Sequence, residues 1–185
     1  TPTVCKDRLM IGVRETDREL YDAIAEAGTP KVDATLRAVS RAANYSRLWM
    51  GAAGLLAAFG GPTGRRAAVT GMVSVGLTSA VVNQGFKRMF RRDRPTRLEQ
   101  DLNRHVRMPE STSFPSGHSA SAFAFAQGVS ATMPWTGLGL RSLALVVAYS
   151  RVHTGVHYPL DVVAGAMIGT GVGQLTAEGV DKVWR

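Results

Sequence analysis

A single cysteine, Cys5, in 185 residues leaves nothing for an internal disulfide framework or a thiolate metal cluster. Acidic residues are scarce too: 14 Asp and Glu against 22 Lys and Arg give a formal net charge of +8. The opening segment lacks a long apolar run and carries Lys6, Asp7, Arg8, Arg14 and Glu15, so no secretory signal is expected there. The first residue is Thr1 and not methionine, which fits a trimmed chain. Strand signals, long-period repeats and low-complexity tracts are missing as well, which argues against β-rich and solenoid architectures. An apolar content of 45% excludes a disordered basic chain.

Charge is also missing from most of the chain. Residues 1–47 hold 15 of the 36 charged residues and residues 87–110 hold 12, leaving 9 for all the rest. The mean hydropathy of −0.01 averages over these two populations. Uncharged runs extend over Leu48–Gly64, Ala67–Phe86, Ser119–Leu140 and Val162–Ala177, and Thr136–Val152 joins them if Arg141 snorkels. A membrane span needs roughly 17–25 residues, so the second and third runs are comfortable and the others marginal. The expectation is an all-α, polytopic membrane bundle of about five to six helices, with residues 48–185 as the membrane domain. A soluble Ala-rich bundle is the alternative, disfavoured because these runs offer almost no polar face.

Ahead of the first run, Leu20, Ile24 and Ala27, then Val32, Leu36, Val39 and Ala43, recur at helical spacing with charges opposite. Residues 1–47 are therefore expected to form amphipathic helices lying along the membrane interface, broken at Gly28-Thr29-Pro30. Gly165, Gly169 and Gly173 form a double GxxxG, which suits either a tightly packed bundle or a dimer seam. A homo-oligomer is thus allowed without being demanded.

Three polar clusters sit at the ends of the runs. Lys87 and Arg94 lie seven residues apart, which on a helix ended by Pro95 would put them on one face. A lipid-binding basic flank would look the same. Ser113-Phe-Pro115-Ser116-Gly117-His118 opens the third run, where free backbone N–H groups at a helix start suit a phosphate and His118 lies within reach of it. An ordinary N-cap with a bystander histidine is the competing reading. In Ser150-Arg151-x5-His157-x3-Asp161, Pro159 interrupts the helical pattern. Asp161 can then fold back onto the His157 imidazole and raise its nucleophilicity, or merely cap.

Spans at 48–64, 67–86, 119–135, 136–152 and 162–177 would put loops 87–118 and 153–161 on one side. Three cations, a set of N–H donors, two histidines and a carboxylate then converge. His153, His157 and Asp161 have metal-ligand spacing, but Pro159 breaks the helix that would align them and the cations repel a metal. No metal or other cofactor is expected.

These three motifs, Lys87-x6-Arg94-Pro95, Pro115-Ser116-Gly117-His118 and Ser150-Arg151-x5-His157-x3-Asp161, resemble the three signatures of the type 2 phosphatidic acid phosphatase family, and every position is filled. The likeness extends over roughly residues 48–177 and is nearest to the integral-membrane lipid phosphatase branch. It implies a metal-independent phosphatase in which His157 attacks phosphorus and forms a phosphohistidine, and Asp161 orients it. His118 would protonate the leaving oxygen and then activate water. Lys87, Arg94, Arg151, Ser116 and the Gly117 N–H would hold the phosphoryl oxygens, and the Arg fork makes Arg94→Lys and Arg151→Lys damaging. The expected partners are a lipid phosphate and the bilayer.

The remaining basic residues of the 87–107 loop, Arg88, Arg91, Arg92, Arg97, Arg104 and Arg107, recruit anionic lipid, meet a second substrate charge, or form a solvated flank. His105 reads as solvated and His153 as structural. On the five-span topology, 17 basic residues fall on the active face and 5 on the other, so the positive-inside rule puts the site on the cytoplasmic side of the plasma membrane. The short Ala/Gly/Arg-rich chain resembles actinobacterial family members, some of which remove the 5-phosphate from decaprenylphosphoryl-phosphoribose in cell-wall synthesis. Phosphatidate, phosphatidylglycerophosphate and polyprenyl pyrophosphate stay open as substrates. Other classes fit less well: a vanadate haloperoxidase would use the same residues, and a non-catalytic lipid binder would not need the full motif set. Nucleic acid is not expected, because the arginines lack interleaved aromatics.

Overall fold

A computed structural model describes residues 2–96 and 104–184, with side chains from residue 12 onward. Seven helices carry the fold: α1 (Pro2–Glu26), α2 (Pro30–Ala42), α3 (Arg47–Phe59), α4 (Gly61–Ala80), α5 (Gly117–Ser130), α6 (Pro134–His153) and α7 (Pro159–Val183). Among the described residues there is no strand. Proline opens several of these helices: Pro30, Pro134 and Pro159 occupy the first position, where the missing N–H is not needed. A π-helical stretch, Val81–Phe86, continues α4 and ends in a last turn at Lys87–Met89.

α5 is the hub. Phe125, Val129 and Ala122 bury against Trp49 and Ala53 of α3, Ala67 and Val75 of α4, and Val147 of α6. Trp49 and Phe125 meet ring to ring at 5.6 Å. On the other side, α7 lies against α5 with almost no space between backbones. A Cβ on Gly165, Gly169 or Gly173 would stand 2.4, 2.1 and 2.8 Å from the carbonyl oxygens of Ser116, Ala120 and Ala124. The double GxxxG is therefore consumed inside the bundle, bringing the start of α7 against the start of α5.

The surface is inverted relative to a water-soluble protein. The interior is largely Ala, Gly, Ser and Thr, whereas Leu55, Phe59, Val69, Leu77, Leu145 and Met167 point outward. Large apolar side chains left outside a small-residue core are what hydrocarbon surroundings allow and water does not. By length and mean hydropathy α7 alone among the described helices qualifies as a span by itself. The others fall short because α1 and α2 are rich in charge, α3 and α5 have only 13 and 14 residues, and α4 and α6 carry Gly, Ser, Thr and Arg among their apolar residues.

The N-terminal helices pack across the end of the bundle that carries the three motifs. Tyr21 and Ile24 of α1 sit on Ala148 and Val152 of α6 and Val162 of α7. Buried carboxylates fasten them further. Asp33 of α2 accepts from His153 at 2.8 Å and pairs with Arg104 at 3.0 Å. Asp17 of α1 accepts the Leu160 N–H at 2.8 Å.

Candidate active site

The second-motif segment reaches its place through α5. Ser116 is the N-cap, its Oγ accepting from the Ser119 N–H at 3.4 Å, and its own N–H donates to the Asp161 carbonyl at 2.9 Å. Gly117 and His118 are thereby presented at the opening of a cavity of about 270 Å3. Lys87, Arg94, Gly117, His118 and His157 all line it, drawn from three separate stretches of chain.

Lys87 and Arg94 come together, although not on one helix face as expected. The helix stops at Met89 and Phe90 is extended (φ −116°, ψ 109°), so Arg94 lies on an irregular strap. Tertiary hydrogen bonds override the helical continuation. The Arg92 carbonyl accepts the Ser113 N–H at 2.9 Å, and Arg94 donates to the carbonyls of Ser111 (2.9 Å), Thr112 (3.1 Å) and Val156 (2.6 Å). Its guanidinium thus ties the first-motif strap to both other motif loops. Lys87 Nζ donates to Ser111 Oγ at 2.9 Å. Burial, and then the nearby Arg94 charge, hold the Lys87 ammonium below the ordinary lysine range.

His157 is buried in the turn between α6 and α7, where its N–H and that of Val156 donate to the Arg151 carbonyl. Arg94 Nη1 approaches His157 Nε2 at 3.2 Å. A guanidinium can only donate, so Nε2 holds the lone pair and Nδ1 the proton. Nδ1 faces Asp161 Oδ2 at 3.6 Å and Ser113 Oγ at 3.5 Å. Burial pushes the His157 pKa down to about 4; the Asp161 hydrogen bond opposes this, while Arg151 and Arg94 add to it. The imidazole is therefore neutral, with its lone pair toward the cavity.

Asp161 is fully buried and crowded with donors. Oδ2 accepts from Ser113 Oγ and from the Tyr158 N–H (2.9 Å), and Oδ1 from Arg92 at 2.9 Å. Arg92 also pairs with Asp17 and lies over the Tyr158 ring, 4.3 Å from its centroid. Arg92 is thus no solvated flank but a bridge from α1 to the carboxylate behind His157. Arg104, likewise expected in the basic loop, is buried against Asp33 and the Ala25 carbonyl. Arg88, Arg91 and Arg107 are exposed, and Arg97 lies outside the described residues. His105 is half-buried and not solvated as expected; His153 is fully buried on Asp33.

Two of the expected phosphate ligands sit deeper. Arg151 is buried and donates from Nη1 to Ser40 Oγ of α2 at 2.6 Å. Ser116 Oγ is engaged in the cap and with Ser119 Oγ at 3.1 Å. Neither lines the cavity. His118 Nε2 meets Asn44 Oδ1 at 2.8 Å, across the junction between α2 and α3. At that junction Tyr45 (φ 56°) and Ser46 (φ 58°) hold left-handed backbone beside the opening. Such a conformation costs non-glycine residues about 1–2 kcal/mol each.

Sequence reasoning missed Asp17, Asp33, Ser40, Asn44, Ser111 and Ser113 as supporting residues. Only the buried carboxylates had a signal: Asp17 precedes Leu20 and Ile24 on the apolar face, and Asp33 follows Val32 within the same apolar stripe.

A family model described as the PAP2 superfamily matches residues 67–185. A decaprenylphosphoryl-5-phosphoribose phosphatase of Mycolicibacterium smegmatis is 38% identical over 148 residues, covering 76% of this chain and 75% of that protein. A putative undecaprenyl-diphosphatase of Escherichia coli is 34% identical over 119 residues, 64% of this chain and 59% of its own. In fold, the chain is similar to the crystal structure of a transmembrane PAP2-type phosphatidylglycerolphosphate phosphatase from Bacillus subtilis. The TM-score is 0.70 at 21% identity, over 94% of this chain and 88% of that one. The helices described above thus share the all-α fold of that structure.

Proposed function

The chain belongs to the PAP2 superfamily and is a phosphoric monoester hydrolase, and on that premise we propose that it removes the phosphate of a polyprenyl-linked phosphosugar through a phosphohistidine on His157. The observation that carries the mechanism is the His157 environment. Its Nε2 lone pair faces a cation-lined cavity while Nδ1 faces a buried carboxylate. Lys87 and Arg94 hold the incoming phosphoryl oxygens, which take over the Arg94 donor now 3.2 Å from Nε2. The freed nitrogen attacks phosphorus; an N–P bond forms and the ester P–O bond breaks. His118, which takes up a proton once the phosphate dianion is bound beside it, passes that proton to the leaving oxygen. Water then attacks the phosphohistidine, the N–P bond breaks, and His118 takes the water proton. Asp161 balances the positive charge that His157 gains, and Arg151 and the Gly117 N–H add to the field on the phosphoryl group.

The substrate assignment is supported by the 38%-identical relative named for decaprenylphosphoryl-5-phosphoribose. A polyprenyl diphosphate is the second reading, on the relative named for undecaprenyl diphosphate. The site lies at the cytoplasmic face in this proposal. Arg66, paired with Asp181 at the far end of the bundle, belongs to the small basic minority there. A cation at bilayer mid-depth costs roughly 2.5–3.5 kcal/mol, which places the site at headgroup level, where a lipid phosphate sits.

Phosphate release by detergent-purified protein tests this, with EDTA present and a panel of lipid phosphates including a polyprenylphosphoryl pentose 5-phosphate. Selective EDTA-resistant release from that lipid, abolished by His157→Ala, is the expected result. Release surviving His157→Ala would overturn the mechanism, and preference for a polyprenyl diphosphate would overturn the substrate assignment.

A further inference from the structure

A second cavity, of about 810 Å3, lies on the outer side of the Arg92–Asp161 pair. It shares no lining residue with the catalytic cavity. Phe86, Phe90, Phe114 and Tyr158 give it an aromatic wall, with Phe90 packed on Phe86 at 6.3 Å and on Phe114 at 5.7 Å between centroids. Arg14 and Arg18, one helical turn apart on α1, and Arg91 bring three exposed cations to the same groove; Asp93 is its one acidic lining residue. Among the described residues these three arginines make no ion pair. Apolar surface also precedes the groove along the chain. Val69, Val73 and Leu77 of α4 and Val81 just after it stand 40–50% exposed at four-residue intervals, and Met89 and Phe90, which line the groove, are 75% and 47% exposed.

We infer that this groove binds one anionic phospholipid of the bilayer, distinct from the substrate. Its headgroup phosphate sits among Arg14, Arg18 and Arg91, and an acyl chain runs over Met89 and Phe90 onto the α4 stripe. Only an amphiphile uses both halves of this arrangement. A soluble anion would leave the exposed aromatic and aliphatic surface uncovered, and an apolar peptide would leave three cations without counter-charge. The lipid also has a structural consequence. Arg14 and Arg18 flank Asp17, whose carboxylate holds Arg92 against Asp161, so the headgroup pins α1 where it supports the catalytic end.

The test is retention of lipid by the delipidated full chain, measured by native mass spectrometry after exposure to mixed phosphatidylglycerol and phosphatidylcholine micelles. Two triple variants of equal charge loss are compared: Arg14→Gln/Arg18→Gln/Arg91→Gln in the groove, and Lys31→Gln/Arg41→Gln/Arg88→Gln elsewhere at the same end. A cation near an anionic headgroup contributes roughly fivefold in affinity. The wild type is expected to keep one phosphatidylglycerol in preference to phosphatidylcholine, the groove variant to lose it by on the order of a hundredfold, and the other variant to keep it. Equal loss in both variants would show only diffuse attraction and overturn the site. So would equal retention of the two lipids, or displacement of the bound lipid by inorganic phosphate. The readout is binding, so it stands or falls separately from the catalytic assignment.

Discussion

Asp17 lies 140 residues before the motif histidine and has no part in any signature, yet replacing it by asparagine should slow the chemistry. Its Oδ1 accepts the Leu160 N–H at 2.8 Å at the start of α7, and its Oδ2 pairs with Arg92, whose other nitrogen reaches Asp161 Oδ1 at 2.9 Å. Asparagine keeps the first bond and removes the charge from the second. Breaking a buried pair costs about 3–5 kcal/mol. Here Arg92 keeps Asp161 and Tyr158, and its side chain is 26% exposed, so about 2 kcal/mol is expected. For a chain of this size that lowers the Tm by roughly 5 °C. Arg92 then has one anchor in place of two, and the carboxylate behind His157 loses its fixed position. Misplacement on this scale costs kcat roughly tenfold to a hundredfold. KM should hold within about twofold, because Lys87 and Arg94 are untouched. The assay is steady-state phosphate release per folded enzyme, alongside thermal unfolding of the same preparation. A lowered Tm with wild-type kcat would make Asp17 a mere fastening of α1 and refute the reasoning; a raised KM at constant kcat would refute it differently, placing Asp17 in the phosphate grip.

Other expectations follow from the same geometry. With the His157 pKa at about 4, the neutral nucleophile persists well into acid, so the acid limb of kcat/KM assigned to His157 should fall near pH 4 and not near 6.5. The same depression affects stability. The unfolded imidazole takes up a proton below about pH 6.5 while the buried one does not, so stability falls from there toward pH 4, by about 3 kcal/mol from this group. Denaturant titrations at stepped pH would show that slope, and its absence in His157→Gln assigns it. Arg94→Lys keeps the charge but cannot span the Ser111, Thr112 and Val156 carbonyls, so kcat/KM should drop on the order of a hundredfold, measured with the lipid substrate. Gly169→Ala puts a Cβ 2.1 Å from the Ala120 carbonyl and should cost about 3 kcal/mol or more, whereas Gly171→Ala, with open space around it, should be neutral in the same melt.

The chemistry-bearing residues could be read without coordinates because each motif is short and local. A histidine beside a helix start, or an aspartate four residues from a histidine across a proline, states its geometry within one turn of chain. The helices were legible for the same reason: the expected span 136–152 matches α6 to within two residues, whereas α4 begins six residues before its uncharged run and α7 ends six residues after its own. The Lys87–Arg94 spacing misled because helical continuation was assumed through to Pro95. Local propensity allowed a helix there, but the carbonyls of Ser111, Thr112 and Val156 offered Arg94 more. Arg92 and Arg104 misled in the opposite way. A charge run reads as solvated unless one knows that Asp17 and Asp33, more than 70 residues earlier, are buried opposite it.

By itself, then, the sequence determined the all-helical membrane class, the three motifs and the histidines, cations and carboxylate proposed to act. These depend on hydropathy and on spacings of seven residues or fewer, which the chain expresses locally. Tertiary structure alone decided which of those residues face the cavity and which stand behind it. It placed Arg151 against Ser40, and Ser113 between Asp161 and His157. It also decided that the glycines of α7 are spent on α5 and that α1 braces the carboxylate behind His157. Those outcomes depend on competition among donors and acceptors more than 40 residues apart in the chain, and only folding brings the competitors together.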